Sequence, residues 1–163
     1  MSARVYVSLG SNVDREVKIR QAVAMLRVHF DGIELSPVYD SAAVGFDGSD
    51  FLNLVAGFDT ELGVEDVASI FRDIEDRLGR DRTQPKFASR PIDLDILIYD
   101  DLVLDIPGIH IPRPEILHNA FVLKPLQDIA PHGLHPEKGE SYAALWGQMA
   151  VTAPRLDLVT LDL

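Results

Sequence analysis

The chain has 163 residues, 47% of them hydrophobic and 25% charged, with a formal net charge of −11 and no cysteine. That composition suits one folded domain over 1–163 with a single core, and it excludes a disulfide framework, a thiolate metal site and a cysteine nucleophile. The negative balance disfavours a nucleic-acid partner, no stretch approaches the roughly 18 apolar residues of a membrane span, and Met1-Ser2-Ala3-Arg4-Val5 lacks the apolar core of a signal peptide, so a cytoplasmic protein is expected.

Val5, Val7 and Leu9 alternate with Tyr6 and Ser8, which predicts a strand ending at Gly10-Ser11-Asn12. Ile19, Ala22, Val23, Leu26 and Phe30 recur at helical spacing and predict an amphipathic helix over 15–30, stopped by Gly32. Residues 33–41 read as a strand in which Pro37 suits an edge or a bulge. A loop with Gly45 and Gly48 separates it from a second strand over 51–60, its antiparallel partner. Val64, Val67, Ala68, Phe71, Ile74 and Leu78 mark the buried stripe of a helix over 64–78, which Gly79 ends. A polar, basic loop over 79–91 leads into a strand over 92–99. This β-α-β-β-α-β order is that of an α+β, ferredoxin-like domain, an antiparallel sheet with helices packed on one face. The rest carries six prolines between Pro107 and Pro136 and reads as loops and C-terminal short helices around the core. It includes a helix over 141–149, which Tyr142, Leu145 and Trp146 would pack, and an edge strand over 156–161.

Two features carry chemistry. Arg77, Arg80, Arg82, Lys86 and Arg90 place five of the fifteen basic residues within fourteen positions. Immediately after them, Asp93 and Asp95 alternate with Ile92, Leu94, Ile96 and Ile98, so the isoleucines and the leucine are expected to face the helices and the aspartates the opposite side. Two strand rises separate the aspartate Cα atoms by roughly 6–7 Å. Aspartate is disfavoured in strands, and two on one face repel unless a cation lies between them. Magnesium favours one or two carboxylates completed by waters and phosphate oxygens, and arginine grips phosphate bidentately. A metal-bound polyphosphate therefore fits the pair and its basic neighbour. The bland alternatives are two aspartates facing solvent and a solvated basic loop making surface ion pairs. A phosphatase using D-x-D as nucleophile and acid/base fits poorly, because there the apolar run precedes the aspartates. A P-loop is absent. His29, His110, His118, His132 and His135 lack zinc-like spacing and are expected on the surface or in loops.

The residues resemble the hydroxymethyl-dihydropterin pyrophosphokinase family of folate biosynthesis over most of the chain, from Val5 to about Trp146. The blocks that carry the resemblance are Leu9-Gly10-Ser11-Asn12, Phe51-Leu52-Asn53, Ile74-Glu75 with Gly79-Arg80, Arg90-Pro91-Ile92-Asp93-Leu94-Asp95-Ile96-Leu97, and Phe121-Val122-Leu123-Lys124-Pro125-Leu126. The resemblance implies an ATP-dependent pyrophosphokinase that transfers pyrophosphate to the hydroxyl of a reduced pterin, 6-hydroxymethyl-7,8-dihydropterin, releasing AMP. It implies two Mg2+ ions held by Asp93 and Asp95, with Arg80 and Arg90 steadying the phosphates. Glu75, Arg82 and Ile96 would complete the ATP side; Gly10, Val44, Phe51, Asn53 and Phe121 would hold the pterin. Physical chemistry agrees in part, since a flat heterocycle needs an aromatic face and an amide that both donates and accepts. The departures are Phe87 where the family usually has tryptophan, Pro91 in place of the signature threonine, Arg113 between two prolines in place of histidine, and Asn119 in place of an arginine. They fall on nucleotide contacts and loop closure, so a diverged paralogue that binds a pterin or nucleotide without efficient turnover is the alternative. Loops 44–50 and 80–91 are the candidate lids, and a monomer is expected.

Overall fold

The central strand pair follows from alternation. In the computed structural model, which describes residues 2–41, 50–79 and 91–163, β1 (Ala3–Ser11) buries Val5, Val7 and Leu9 on one side. After α1 (Arg15–His29) come two short strands, β2 (Glu34–Leu35) and β3 (Val38–Ser41), and then β4 (Phe51–Thr60). The strand expected over 33–41 is thus broken in two. Pro37 has no N–H to give the ladder, and Ser36 holds the junction through its own amide on the Val55 carbonyl at 2.9 Å and its hydroxyl beneath the Val55 amide at 2.8 Å. Helix α2 (Val64–Arg77) and strand β5 (Asp93–Tyr99) complete the expected β-α-β-β-α-β order.

The strands pair antiparallel in the order β5-β1-β4-β3, with β2 also on β4, and β8 (Asp157–Val159) covers the outer edge of β3. Ile19, Ala22, Val23 and Leu26 of α1 and Val67, Phe71 and Ile74 of α2 pack on one face, against Val5, Val7, Leu9, Leu52, Leu54 and Phe58. Phe30 stacks on Phe58 with ring centroids 4.0 Å apart, and Phe71 meets Phe58 edge-on at 6.4 Å. The opposite face carries a second apolar cluster under α3 (Ala120–Ile129) and α4 (Tyr142–Met149), in which Val122, Leu123, Leu126, Tyr142 and Leu145 close over Val55, Leu97 and Ile98. The C-terminal helices therefore roof the far side of the sheet.

Two further features depart from the sequence expectation. Ile98 does not share a face with Ile92, Leu94 and Ile96. The register runs Val7 to Ile96 and Tyr6 to Ile98, so Leu97 is an extra residue, and beyond this bulge the strand's parity reverses. Ile98 joins the second cluster as a result. The second departure is a hairpin, β6 (Leu104–Ile106) with β7 (Ile109–Ile111), in a stretch expected to be loop. Pro107-Gly108 makes its turn, with Gly108 at φ +84°, where a side chain would be strained.

Candidate functional site

The register places the chemistry-bearing residues in rows across the face roofed by α3. Asp93 pairs with Gly10, Gly10 with Asn53, and Asn53 with Tyr39. One row further, Asp95 pairs with Ser8, and Ser8 with Val55. Because parity is preserved as far as Ile96, Asp93, Asp95, Asn53 and Phe51 all project from the same face. Carboxylates stand at the β5 end and an aromatic ring and an amide toward β3 and β4, with Gly10 between them. A Cβ at position 10 would stand 3.1 Å from Asn53 Oδ1 and 3.7 Å from the Phe51 ring. The missing side chain leaves that floor open. Asn53 is buried, and its Nδ2 donates to Ser41 Oγ at 2.5 Å.

The β3 side of the row is tied to the roof. Tyr39 donates its hydroxyl to Asp128 of α3, and Lys124 lies 2.9 Å from the same carboxylate. Within α3, Pro125 has no N–H to give the Phe121 carbonyl one turn back, so the helix bearing Phe121 is loosened at its first turn. Phe121 itself is partly exposed at the edge of the second cluster.

At the other end the electrostatics are unbalanced. Burial first, and then the charge of Asp93, pushes the Asp95 carboxyl up to about 7, against the pull of Arg113. Arg113 follows the cis Ile111–Pro112 peptide, donates its backbone N–H to the Leu97 carbonyl at the bulge, and brings Nη2 to 3.4 Å from Asp95 Oδ1. Its Nε donates to Glu115 at 2.6 Å. A cavity of about 190 Å³ opens beside this group, lined from α2 by Phe71, Arg72 and Glu75, from β5 by Asp93 to Ile96, and from β7 by Ile109 and Ile111. Glu75 reaches across to accept the Leu94 amide at 2.9 Å, satisfying a donor on the free edge of β5.

The donor set fits a hard divalent cation carried by phosphate. Among the described residues no group of three or more histidine, aspartate or glutamate side chains gathers to hold an ion alone. Two carboxylates side by side on one strand face instead suit magnesium, which keeps waters and takes phosphate oxygens as further ligands.

A family model described as 7,8-dihydro-6-hydroxymethylpterin-pyrophosphokinase (HPPK) matches residues 6–131. The chain belongs to this family. The 2-amino-4-hydroxy-6-hydroxymethyldihydropteridine pyrophosphokinase of Bacillus subtilis is 35% identical over 133 residues, 79% of each chain. That of Pseudomonas aeruginosa is 38% identical over 135 residues, 80% of this chain and 83% of the relative. Among solved structures, a Plasmodium falciparum HPPK-DHPS superposes with a TM-score of 0.73 at 13% identity, over 93% of this chain and 45% of that longer one, which speaks to fold alone.

Of the residues that the HPPK resemblance pointed to, Gly10, Phe51, Asn53, Asp93 and Asp95 come together on one face, and Glu75 and Ile96 line the cavity at the β5 edge. Arg80, Arg82, Arg90 and Val44, together with Phe87 and both candidate lids apart from Asp50 and Pro91, lie outside the described residues. Asn119 serves as the residue before α3, its carbonyl accepting from Val122 and Leu123. Sequence reasoning missed Glu115, which anchors Arg113; its signal was an acidic residue two positions from a basic one between prolines. It also placed His135 on the surface or in a loop. The loop is right, but the side chain is buried, with Nδ1 accepting the Glu137 and Lys138 amides.

Proposed function

We propose that this chain, as a single domain over 1–163, transfers pyrophosphate from ATP to the hydroxymethyl group of 6-hydroxymethyl-7,8-dihydropterin. The observation that carries this reading is the Asp93–Gly10–Asn53 row, with Asp95 beside it, joining a carboxylate pair to an amide and a floor without a side chain on one sheet face. The hydroxyl oxygen attacks the β-phosphorus, the bond from that phosphorus to the α,β-bridging oxygen breaks, AMP departs and the hydroxyl proton is released. Membership of the family supports this chemistry.

Gly10 and Phe51 present a flat surface to the pterin, Asn53 offers its amide to the ring edge, and Phe121 at the start of α3 supplies an aromatic face. Asp93 and Asp95 would hold the divalent cations, two magnesium ions with ATP, which would supply screening of the charge that develops on the transferred phosphates. Glu75 keeps the Leu94 amide and the β5 edge in position beside the nucleotide, and Ile96 lines the same cavity. Arg80, Arg82 and Arg90 are assigned to the phosphates and Val44 to the pterin by the family resemblance alone. Catalysis rests on positioning and electrostatics. We read it as a monomer that works in the cytoplasm on ATP and a reduced pterin; no helix among the described residues is long and apolar enough to cross a membrane.

The test is AMP release with ATP, magnesium and the pterin, run beside Asp93→Ala. Pterin-dependent AMP that disappears in the variant supports the reaction and the metal pair together. Pterin binding by calorimetry with no AMP from the wild-type chain would replace the reading with that of a binding module.

A further inference from the structure

The two ends of the Arg113 guanidinium are held unequally. Nε sits 2.6 Å from Glu115 Oε2, whereas Nη2 stands 3.4 Å from Asp95 Oδ1. The base of the side chain is fixed as well, since the Arg113 amide is bonded to the Leu97 carbonyl at 3.0 Å and prolines 112 and 114 flank it. The guanidinium can therefore leave Asp95 without losing its anchor on Glu115, and its released donors would face the cavity that Asp93 and Asp95 line.

We propose that Arg113 is a tethered counter-ion which occupies the cation position at Asp95 when no divalent ion is bound, and that an incoming ion competes with it for that carboxylate. The inference rests on reading Asp93 and Asp95 as a metal pair. Its consequence is a coupling between ligands. A metal ion arriving alone must displace Arg113 and leave its Nη donors facing the cavity without Asp95, the charge balanced by Glu115 alone. A metal ion arriving with a polyphosphate supplies an anion for the freed fork of donors. Metal and nucleotide then strengthen each other's binding by the same factor, as linkage requires, and that factor depends on a residue that need not touch the metal. Arg113 is in this sense a positioning residue, and Glu115 its hinge.

The experiment is a titration with Mn2+, followed by the loss of the free-ion spin-resonance signal, on the full chain with and without a non-hydrolysable ATP analogue. The proteins are wild type, Arg113→Gln, Arg113→Ala, Arg113→Lys and, as a control, Arg72→Gln. Without nucleotide, Arg113→Gln and Arg113→Ala are expected to bind Mn2+ at least about threefold tighter than wild type, with Arg113→Lys near wild type. The enhancement of Mn2+ affinity by the analogue is expected to shrink in the Gln and Ala variants. Unchanged or weaker Mn2+ binding in the two neutral variants would overturn the inference while leaving the metal pair standing. So would an equal gain in Arg72→Gln, which removes a cation lining the same cavity from α2, because the effect would then be general charge. A wild-type chain that binds no Mn2+ even with the analogue would remove the metal pair itself, and the proposed function with it.

Discussion

Leu52, Leu54 and Phe58 point from β4 into a face where their neighbours are Val5, Val7, Phe30 and Phe71. Phe51, Asn53 and Val55, alternating with them on the same strand, point into a face that mixes ring, amide and carboxylate. One strand thus serves two purposes by parity alone. The apolar face gains from burial and close packing, so its residues matter through volume. The mixed face sets two aspartates side by side and leaves a floor without a side chain at Gly10, arrangements that add little to stability and give the molecule something to bind with. The difference teaches that substitutions one position apart should fail in different ways.

The sharpest break lies on the apolar face. Phe58→Ala should cost about 3–5 kcal/mol of stability, read as a fall in the urea midpoint, while activity per folded molecule stays near wild type at low temperature. A lost turnover in the folded fraction would mean that the two faces are not separable. On the mixed face, Asp95→Ala should reverse the pattern. Loss of kcat/KM of about 10²–10³-fold or more is expected in the AMP-release assay, with the thermal midpoint at or above wild type because a buried carboxyl that also repels Asp93 has been removed. A marked fall in the midpoint would show that Asp95 serves the fold. Gly10→Ala sharpens the contrast further. The added methyl meets Asn53 Oδ1 at 3.1 Å and so intrudes on the floor; pterin affinity should weaken by about tenfold or more, with ATP affinity unchanged, both measured by calorimetry.

The smallest effect is expected away from both faces. Burial holds the His135 imidazole below its ordinary value of 6.5, and neutral Nδ1 accepts two backbone amides. The unfolded chain therefore binds more protons, so this contribution is present above pH 6.5 and is lost as the pH falls through the folded value. Chemical denaturation across pH 5–7 should show a modest acid loss that His135→Gln flattens.

Much of this contrast is legible in the sequence. The alternation of Val5, Val7 and Leu9 and the spacing of Val67, Phe71 and Ile74 are periodic signals that tertiary structure does not override, and those elements fall where they were expected. Asp93 and Asp95 share a face because parity holds through Leu94. What could not be read were events that interrupt a period. The break at Ser36-Pro37 is a side-chain bond to Val55, a residue remote in sequence. The meeting of Arg113 with Asp95 depends on a hairpin whose only local sign is Pro107-Gly108 between two alternating triplets. Burial of His135 comes from a loop that folds back on itself, which has no period at all.

The extra residue at Leu97 has a consequence for anyone wishing to rework this scaffold. It behaves as a frame shift written in three dimensions. Upstream, odd positions of β5 belong to the mixed face and even ones to the apolar face; downstream, Ile98 and Tyr99 obey the inverse rule. Removing Leu97 would not merely shorten the strand. It would restore a uniform reading frame with Ile98 still opposite Tyr6 on the mixed face, take the Leu97 side chain out of the cluster beneath α3, and strip the Arg113 amide of its acceptor in a single edit. Transplanting Asp93 to Ile96 into another sheet without that residue would carry the carboxylates across but leave behind the geometry that brings a guanidinium to meet them.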